Sequence, residues 1–277
     1  PSRPRELAGL LAPLCRLIRA DVQNAIADDQ SGLSLLAREW RAALFPDADD
    51  AKFADAYAQT LTYGLLLAHI EGQGNLTLDN AANALDVNHG LLAGALRALA
   101  HPDARRELGA GIDVLLRILN ALDPSAWHRP QTAQEDPWLY FYEDFLAEYD
   151  PRLRADAGVY YTPVSVIKAQ VRLINELLRT RFNKPRGFNA PGVTVLDPAA
   201  GTGAYPLAVL EHALEAIQQR SGTGAIAGAA TELASRLHAF EFLVGPYAVA
   251  HLRLTQAVRA VGGHLPQEGA LVYLSDT

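Results

Sequence analysis

The stretch from Val193 to Tyr205, Val-Thr-Val-Leu-Asp-Pro-Ala-Ala-Gly-Thr-Gly-Ala-Tyr, constrains the fold more than any other part of this chain. Val193 to Leu196 is a short apolar, β-branched run suited to a buried parallel strand, and Ala190-Pro191-Gly192 punctuates the chain just before it. The strand is expected to end at Asp197. Gly201 and Gly203 then permit a sharp turn where a ligand can approach backbone that carries no Cβ. Leu207, Leu210, Leu214 and Ile217 follow at helical spacing, with Pro206 in the first turn, where its missing N–H costs little. Strand, glycine turn and helix N-terminus together set free N–H groups beside a strand-end carboxylate, as in a nucleotide-type site.

Similar strand-plus-helix units follow. Leu237 to Glu241 is a second strand whose terminal Glu241 is placed to hold ribose hydroxyls, as in Rossmann-like sites. Glu241 lies further from Gly203 than the roughly 20 residues of a compact dinucleotide fold. The glycine- and alanine-rich Ser221 to Ala230 accounts for the excess and reads as a flexible connection. A helix from Pro246 then presents Tyr247, Ala250, Leu254, Ala257 and Val261 and ends at Gly262-Gly263, and a third strand, Ala270 to Leu274, delivers Asp276 to the same sheet edge.

The N-terminal part has a different pattern. From Glu6 to about Leu122 the periodicity is helical, clearest in Phe53, Tyr57, Leu61, Leu65 and Ala68 along Lys52 to His69. Further helices are expected from Leu91, Ala95, Leu96 and Leu99, and from Leu108, Ile112, Leu115, Leu119 and Leu122, with breaks at Gly72 to Asn75, His101-Pro102 and Asp123-Pro124. Its polar residues form no converging constellation, so this region reads as a packing domain. Asp123 to Pro137 carries Pro124, Pro130 and Pro137 and reads as a linker. Trp138, Tyr140, Phe141, Tyr142, Phe145 and Tyr149 are interleaved with Glu143, Asp144 and Glu148, which favours a packing helix over a base-stacking platform. In Gly158-Val159-Tyr160-Tyr161-Thr162-Pro163, Thr162 is expected to cap a helix with Pro163 in its first position, and Val164, Ile167, Val171, Ile174 and Leu178 supply its apolar face.

Composition closes off several classes. The chain has 277 residues, 49% of them hydrophobic, enough for two domains with a real core. It holds no apolar stretch of membrane-spanning length and no signal peptide, so a cytoplasmic location is expected. One cysteine, Cys15, allows no intrachain disulfide, and scattered histidines give no metal site. There is no methionine, even at position 1, so an excised or processed piece of something longer is expected. A formal charge of −7 argues against this piece carrying a main DNA grip. The most basic cluster, Arg179, Arg181, Lys184 and Arg186, precedes the first strand and reads as solvated surface.

Asp-Pro-Ala-Ala-Gly-Thr-Gly resembles the S-adenosylmethionine (SAM) loop of the DNA adenine-N6 methyltransferases, whose first motif reads roughly Asp-Pro-Ala-x-Gly-Thr-Gly. Phe53 to Leu66 resembles the helical coupler of single-polypeptide, Type ISP restriction-modification enzymes, in which a helicase-like motor precedes the methyltransferase. Phe-Tyr-Glu-Asp-Phe-Leu, Tyr-Asp-Pro-x-Leu-Arg and Gly-Val-Tyr-Tyr-Thr-Pro are similar to the same family, as are Phe240 to Leu243 and Pro246 to Leu252.

The resemblance implies an all-helical coupler-like domain (1–122), a Pro-containing linker with an aromatic helix (123–157), and an incomplete Rossmann-like α/β methyltransferase domain (158–277). It implies SAM as cofactor, bound by Asp197, Pro198, Ala199, Gly201, Thr202, Gly203 and Glu241. By the same resemblance, Tyr161, Thr162 and Pro163 close over the methionine end and Asp276 accepts from the adenine amine. The next family motif, Asp or Asn-Pro-Pro-Tyr or Phe, which holds the target adenine, is not in this chain, so no catalytic residue is assigned and inactivity alone is expected. The expected function is the SAM-binding portion of a DNA adenine-N6 methyltransferase in restriction-modification or phage defence. DNA would be held by regions outside this chain, with motor or nuclease domains in the same parent polypeptide. The alternatives are a SAM-dependent methyltransferase of another substrate class, or a non-catalytic module coupling a motor to a modification domain.

Overall fold

The computed structural model describes residues 4–28, 31, 33–34, 37–38, 49–72, 75–85, 93, 96–97, 102–123, 138, 141–152, 162–267 and 269–275. The chain forms two compact units, Pro1–Arg129 with Glu143–Gly158, and Pro130–Tyr142 with Val159–Thr277. Tyr161 and Asp276 lie outside the described residues, as do the linker from Pro124 to Pro137 and Leu91, Ala95 and Leu99 of the expected helix.

In the first unit the described elements are helical: α1 (Pro4–Ile26), α2 (Asp50–Glu71), α3 (Leu78–Leu85), α4 (Pro102–Asn120) and most of α5 (Phe141–Tyr149). The Asp49 carboxylate caps α2 by accepting from the Lys52 N–H at 2.8 Å, satisfying a donor that the helix itself cannot. The sequence pattern predicts one apolar face for this helix, but α2 is buried on every side from Phe53 to Ile70 apart from Asp55 and Ala56. Small residues explain the difference: Ala54, Ala58, Gly64 and Ala68 let α1, α3 and α4 pack around it. Some of its polar groups bond along the helix itself, as where the Thr60 hydroxyl donates to the Ala56 carbonyl at 2.7 Å. One polar cluster joins α1, α2 and the end of α5. Asp55 accepts from the Tyr149 hydroxyl at 2.5 Å and from Gln59 Nε2 at 2.9 Å, and Arg19 lies 3.5 Å from it and 3.2 Å from Asp150.

The second unit is built on three parallel strands, β1 (Val195–Asp197), β2 (Leu237–Glu241) and β3 (Val272–Leu274), in that spatial order. Around them run α6 (Val164–Thr180), α7 (Ala204–Ser221), α8 (Ile226–Ala234) and α9 (Val244–Ala260). Strand pairing puts Val195, Leu237, Ala239 and Val272 on one face, where α7 and α9 pack, while α6 and α8 pack against α7. Leu207, Leu210, Leu214 and Ile217 of α7 are all buried in this core, as their spacing predicts. On the opposite face Leu196 and Tyr273 are exposed, and the Tyr273 ring stacks parallel to His238 at 6.2 Å.

Several expected boundaries move. The ladder begins at Val195 because Val193 is spent on a turn: its N–H donates to the Ala190 carbonyl at 3.2 Å, and its own carbonyl accepts from Arg236 at 2.8 Å. β3 likewise begins at Val272, whose N–H turns back to the Ala270 carbonyl. Thr162 does not cap α6. Pro163 occupies the cap position with no side-chain bond there, and of the expected face only Ile167 and Val171 are fully buried, Ile174 being exposed. α9 starts at Val244, two residues before Pro246. Ser221 to Ala230 is ordered: a short 3-10 turn leads into α8, since alanine is the best helix former and Ala230, Leu233 and Ala234 reach the core. Arg179, Arg181 and Arg186 are exposed, as expected of solvated surface.

Candidate cofactor site

In a parallel sheet all strands finish at one edge, so residues at the ends of β1 and β2 meet the loop that follows β1. Asp197 ends β1, and its Oδ1 accepts from the Ala199 N–H at 3.1 Å. Its Oδ2 is buried and has no hydrogen-bond partner among the described residues. Burial pushes this carboxyl above its usual range, only partly offset by the Ala199 bond.

Pro198 and Ala199 form the exposed crest of the turn. Ala200 is buried, and its N–H donates to the Phe240 carbonyl at 2.9 Å, binding the turn to β2. Gly201 has φ 54° and Gly203 φ 79°, left-handed conformations that a Cβ would strain. Gly203 is also a close approach, because a Cβ there would sit 3.2 Å from Ala250 Cβ and 3.3 Å from Ala250 Cα on α9. At Gly201 the same direction is open space.

Glu241, at the end of β2, takes both ends of this geometry. Its Oε2 accepts from the Gly201 N–H at 2.8 Å and its Oε1 from the Leu243 N–H at 2.7 Å. Burial raises its pKa. Bonds from the Leu243, Gly201 and Phe242 backbone counter the rise, and the nearby Asp197 charge adds to it. These bonds still leave acceptor capacity for a further donor, since a carboxylate offers about four acceptor sites. α7 starts immediately after Gly203 with no side-chain cap, so the Ala204 and Tyr205 N–H groups lead its positive end.

The structure therefore brings together Asp197, Gly201, Thr202, Gly203 and Glu241. Thr162 and Pro163 precede α6, which is tied to the first turn of α7 where the Tyr205 hydroxyl donates to Gln170 Oε1; this bond does not itself bring Thr162 or Pro163 to the group. Sequence reasoning missed Tyr205 and Gln170, because a tie between two helices has no local signature. It also missed Arg253 of α9, which donates to both oxygens of Thr202. The one sequence signal for it is a cation set between Leu252 and Leu254 within an apolar run. Among the described residues, no group of three or more His, Cys, Asp or Glu is arranged to hold a metal ion, and no helix is long and apolar enough to cross a membrane.

Residues 134–238 match the family model for N-6 DNA Methylase. No curated protein matches the chain. The fold is shared with the ATP-dependent Type ISP restriction-modification enzyme LlaBIII bound to DNA, at 18% identity and TM-score 0.64, over 98% of this chain and 18% of that one. It is shared too with a nuclease-deletion mutant of the Type ISP restriction-modification enzyme LlaGI in complex with a DNA substrate mimic (16%, TM-score 0.63, 98% and 21%). A third structure, a DrdV-DNA complex, gives 19%, TM-score 0.62, and coverage of 99% and 25%. The chain thus spans about a fifth to a quarter of the length of these proteins. The family match over residues 134–238 and the shared fold are consistent with the motif resemblance, and the fold itself is a helical part followed by a small parallel sheet flanked by helices.

Proposed function

We propose that this chain supplies the SAM-binding portion of a DNA adenine-N6 methyltransferase in a restriction-modification or phage-defence enzyme of the cytoplasm. DNA would be gripped by other parts of the parent polypeptide, which would also carry a motor or nuclease. The observation that carries the reading is the buried, unpartnered Oδ2 of Asp197 beside the glycine turn and an uncapped helix N-terminus. An acceptor left in this state costs on the order of 1–3 kcal/mol, which a ligand bearing a donor would recover.

SAM fits the residues present. Its ammonium suits Asp197 Oδ2, and its ribose diol suits the remaining lone pairs of Glu241. Gly201 admits the ligand where a Cβ would intrude, and Ala204 and Tyr205 present N–H groups at the start of α7. Tyr161, Thr162 and Pro163 would cover the methionine end, and Asp276 would accept from the adenine amine. When bound, SAM supplies a methyl group on a sulfonium. The chain's own contribution is to bind and orient the cofactor.

Calorimetric titration of the 277-residue chain with SAM and S-adenosylhomocysteine tests this. Asp197→Asn and Glu241→Gln should each weaken binding by about 1–3 kcal/mol, roughly 5- to 150-fold. Unchanged affinity in both variants would eliminate this placement of the site.

A further inference from the structure

Three consecutive loop residues are each held by a different neighbour. Gly201 is held through its N–H by the Glu241 carboxylate of β2. Gly203 is held by close contact with Ala250 of α9. Between them, Thr202 is held by Arg253, one turn beyond Ala250 on the same face of α9: Arg253 Nη1 donates to the Thr202 carbonyl and, at 3.1 Å, to Thr202 Oγ1. Arg253 is only 6% exposed. Burying a guanidinium costs several kcal/mol unless its donors are well used, so this side chain is an expensive way to fill space in a helix whose buried residues carry no other charge besides what His251 could bear. Its burial also removes it from any role as a surface contact to phosphate. Both bonds leave Nη1, whose two N–H groups are fixed in the guanidinium plane, whereas a lysine ammonium turns freely about its stem. Carbonyl and hydroxyl held together fix both the Thr202 peptide plane and its side-chain rotamer.

We infer that Arg253 is a positioning residue of the cofactor loop, acting through Thr202 to hold Gly201–Tyr205 in its ligand-ready form. An anion holding a backbone N–H on one side and a cation holding a carbonyl on the other fix the loop before any ligand arrives, so ligand binding does not bear the cost of ordering it. The ligand named for this loop rests on the SAM reading above. The loop-fixing role does not.

Hydrogen exchange of the unliganded full chain, read on the peptide spanning 199–207, tests the role directly. Arg253→Met should exchange there at least about 10-fold faster, with α6 (164–180) unchanged, and Arg253→Lys should fall between it and the unaltered chain. Thr202→Val should speed exchange in the unaltered background and add nothing to Arg253→Met, as expected for two groups acting through one contact. If Arg253→Met fails to fold, the Arg253→Lys and Thr202→Val pair decides the matter in the same way. SAM titration should show about 10-fold weaker binding in Arg253→Met, or about 3-fold in Arg253→Lys, for protein that melts well above the assay temperature. Loop exchange equal to that of the unaltered chain overturns the inference, as does faster exchange with SAM affinity intact. An unaltered chain that binds no SAM overturns the cofactor reading instead, and the exchange result still decides the loop-fixing role of Arg253.

Discussion

Three glycine-to-alanine substitutions should separate backbone strain, steric contact and ligand access in the glycine turn. Gly203→Ala combines two costs. A residue with a Cβ at φ 79° loses about 1–2 kcal/mol to left-handed strain. Its Cβ also meets Ala250 Cβ at 3.2 Å and Cα at 3.3 Å, so α9 must retreat by a few tenths of an ångström from a packed position, an overpacking cost of about 1–3 kcal/mol. The total is about 2–5 kcal/mol. Gly201→Ala, at φ 54° with nothing within 4 Å of the new Cβ, should cost only the strain, about 1–2 kcal/mol, yet abolish much of the SAM binding if the methyl points into the open space proposed for the ligand. Gly224→Ala, in the turn before α8 with open space around it, is the control and should be neutral or stabilising by up to about 1 kcal/mol. Urea melts followed by far-UV circular dichroism give the stabilities, fitted with two transitions because the two units can unfold separately. Exchange of the α7 peptide identifies which transition belongs to the second unit. A Gly203→Ala cost no larger than that of Gly201→Ala would refute the packing argument, and intact SAM affinity in Gly201→Ala would refute the placement of the ligand.

Asp197→Asn should act with opposite signs on stability and binding. The raised carboxyl of Asp197 means that its contribution to unliganded stability falls as pH rises from the unfolded carboxylate range, about 3.9, through the folded value. At pH 7 the asparagine variant should therefore gain on the order of 1 kcal/mol in the melt while binding SAM more weakly and losing the rise of SAM affinity through that pH window. A variant less stable than the unaltered chain at pH 7 would show that Oδ2 is not a liability in the free protein. In the helical unit, Tyr149→Phe removes the 2.5 Å donor to Asp55, whose carboxyl is already raised chiefly by burial. It should cost about 1.5–3 kcal/mol in the transition of that unit, and a change below 0.5 kcal/mol would place the stabilisation in Arg19, whose guanidinium lies 4.9 Å from the Tyr149 ring centroid.

What the sequence made legible is what depends on neighbours along the chain. The apolar spacing of α7 is set by its own sequence, and the glycine pair is demanded by the turn's own dihedrals, so both could be read before any tertiary structure. The misread features depend on residues far away. Val193 fits a strand by composition, but Arg236, more than forty residues later, takes its carbonyl and leaves pairing to begin at Val195. The glycine and alanine content of residues 221–230 suits a flexible connection until the second half of the segment packs against the core, when the alanines become helix. Thr162 is a good cap by residue type, yet α6 begins one residue later because Pro163 supplies the carbonyl that Val166 and Ile167 use. Arg253 stands out in sequence only as a cation within an apolar run, and its role cannot be read there because its partner lies fifty-one residues earlier.

Strand register explains why the two acids at the sheet edge do different work. Asp197 pairs with Ala239, so Glu241 stands two residues, about 6.6 Å, further along the common strand direction. That overhang carries the Glu241 carboxylate past the end of β1 to the level of the turn, where it takes the Gly201 N–H, while Asp197, set back, reaches only the Ala199 N–H with one oxygen. A shift of β2 by one residue would turn Glu241 to the opposite face, the side of Tyr273 on β3, and leave Gly201 unheld. The acid with both oxygens in use is therefore the one that shapes the loop, while the other keeps Oδ2 without a partner among the described residues. Charge alone could not have made that division, because both carboxyls are half-buried and both are raised by that partial burial.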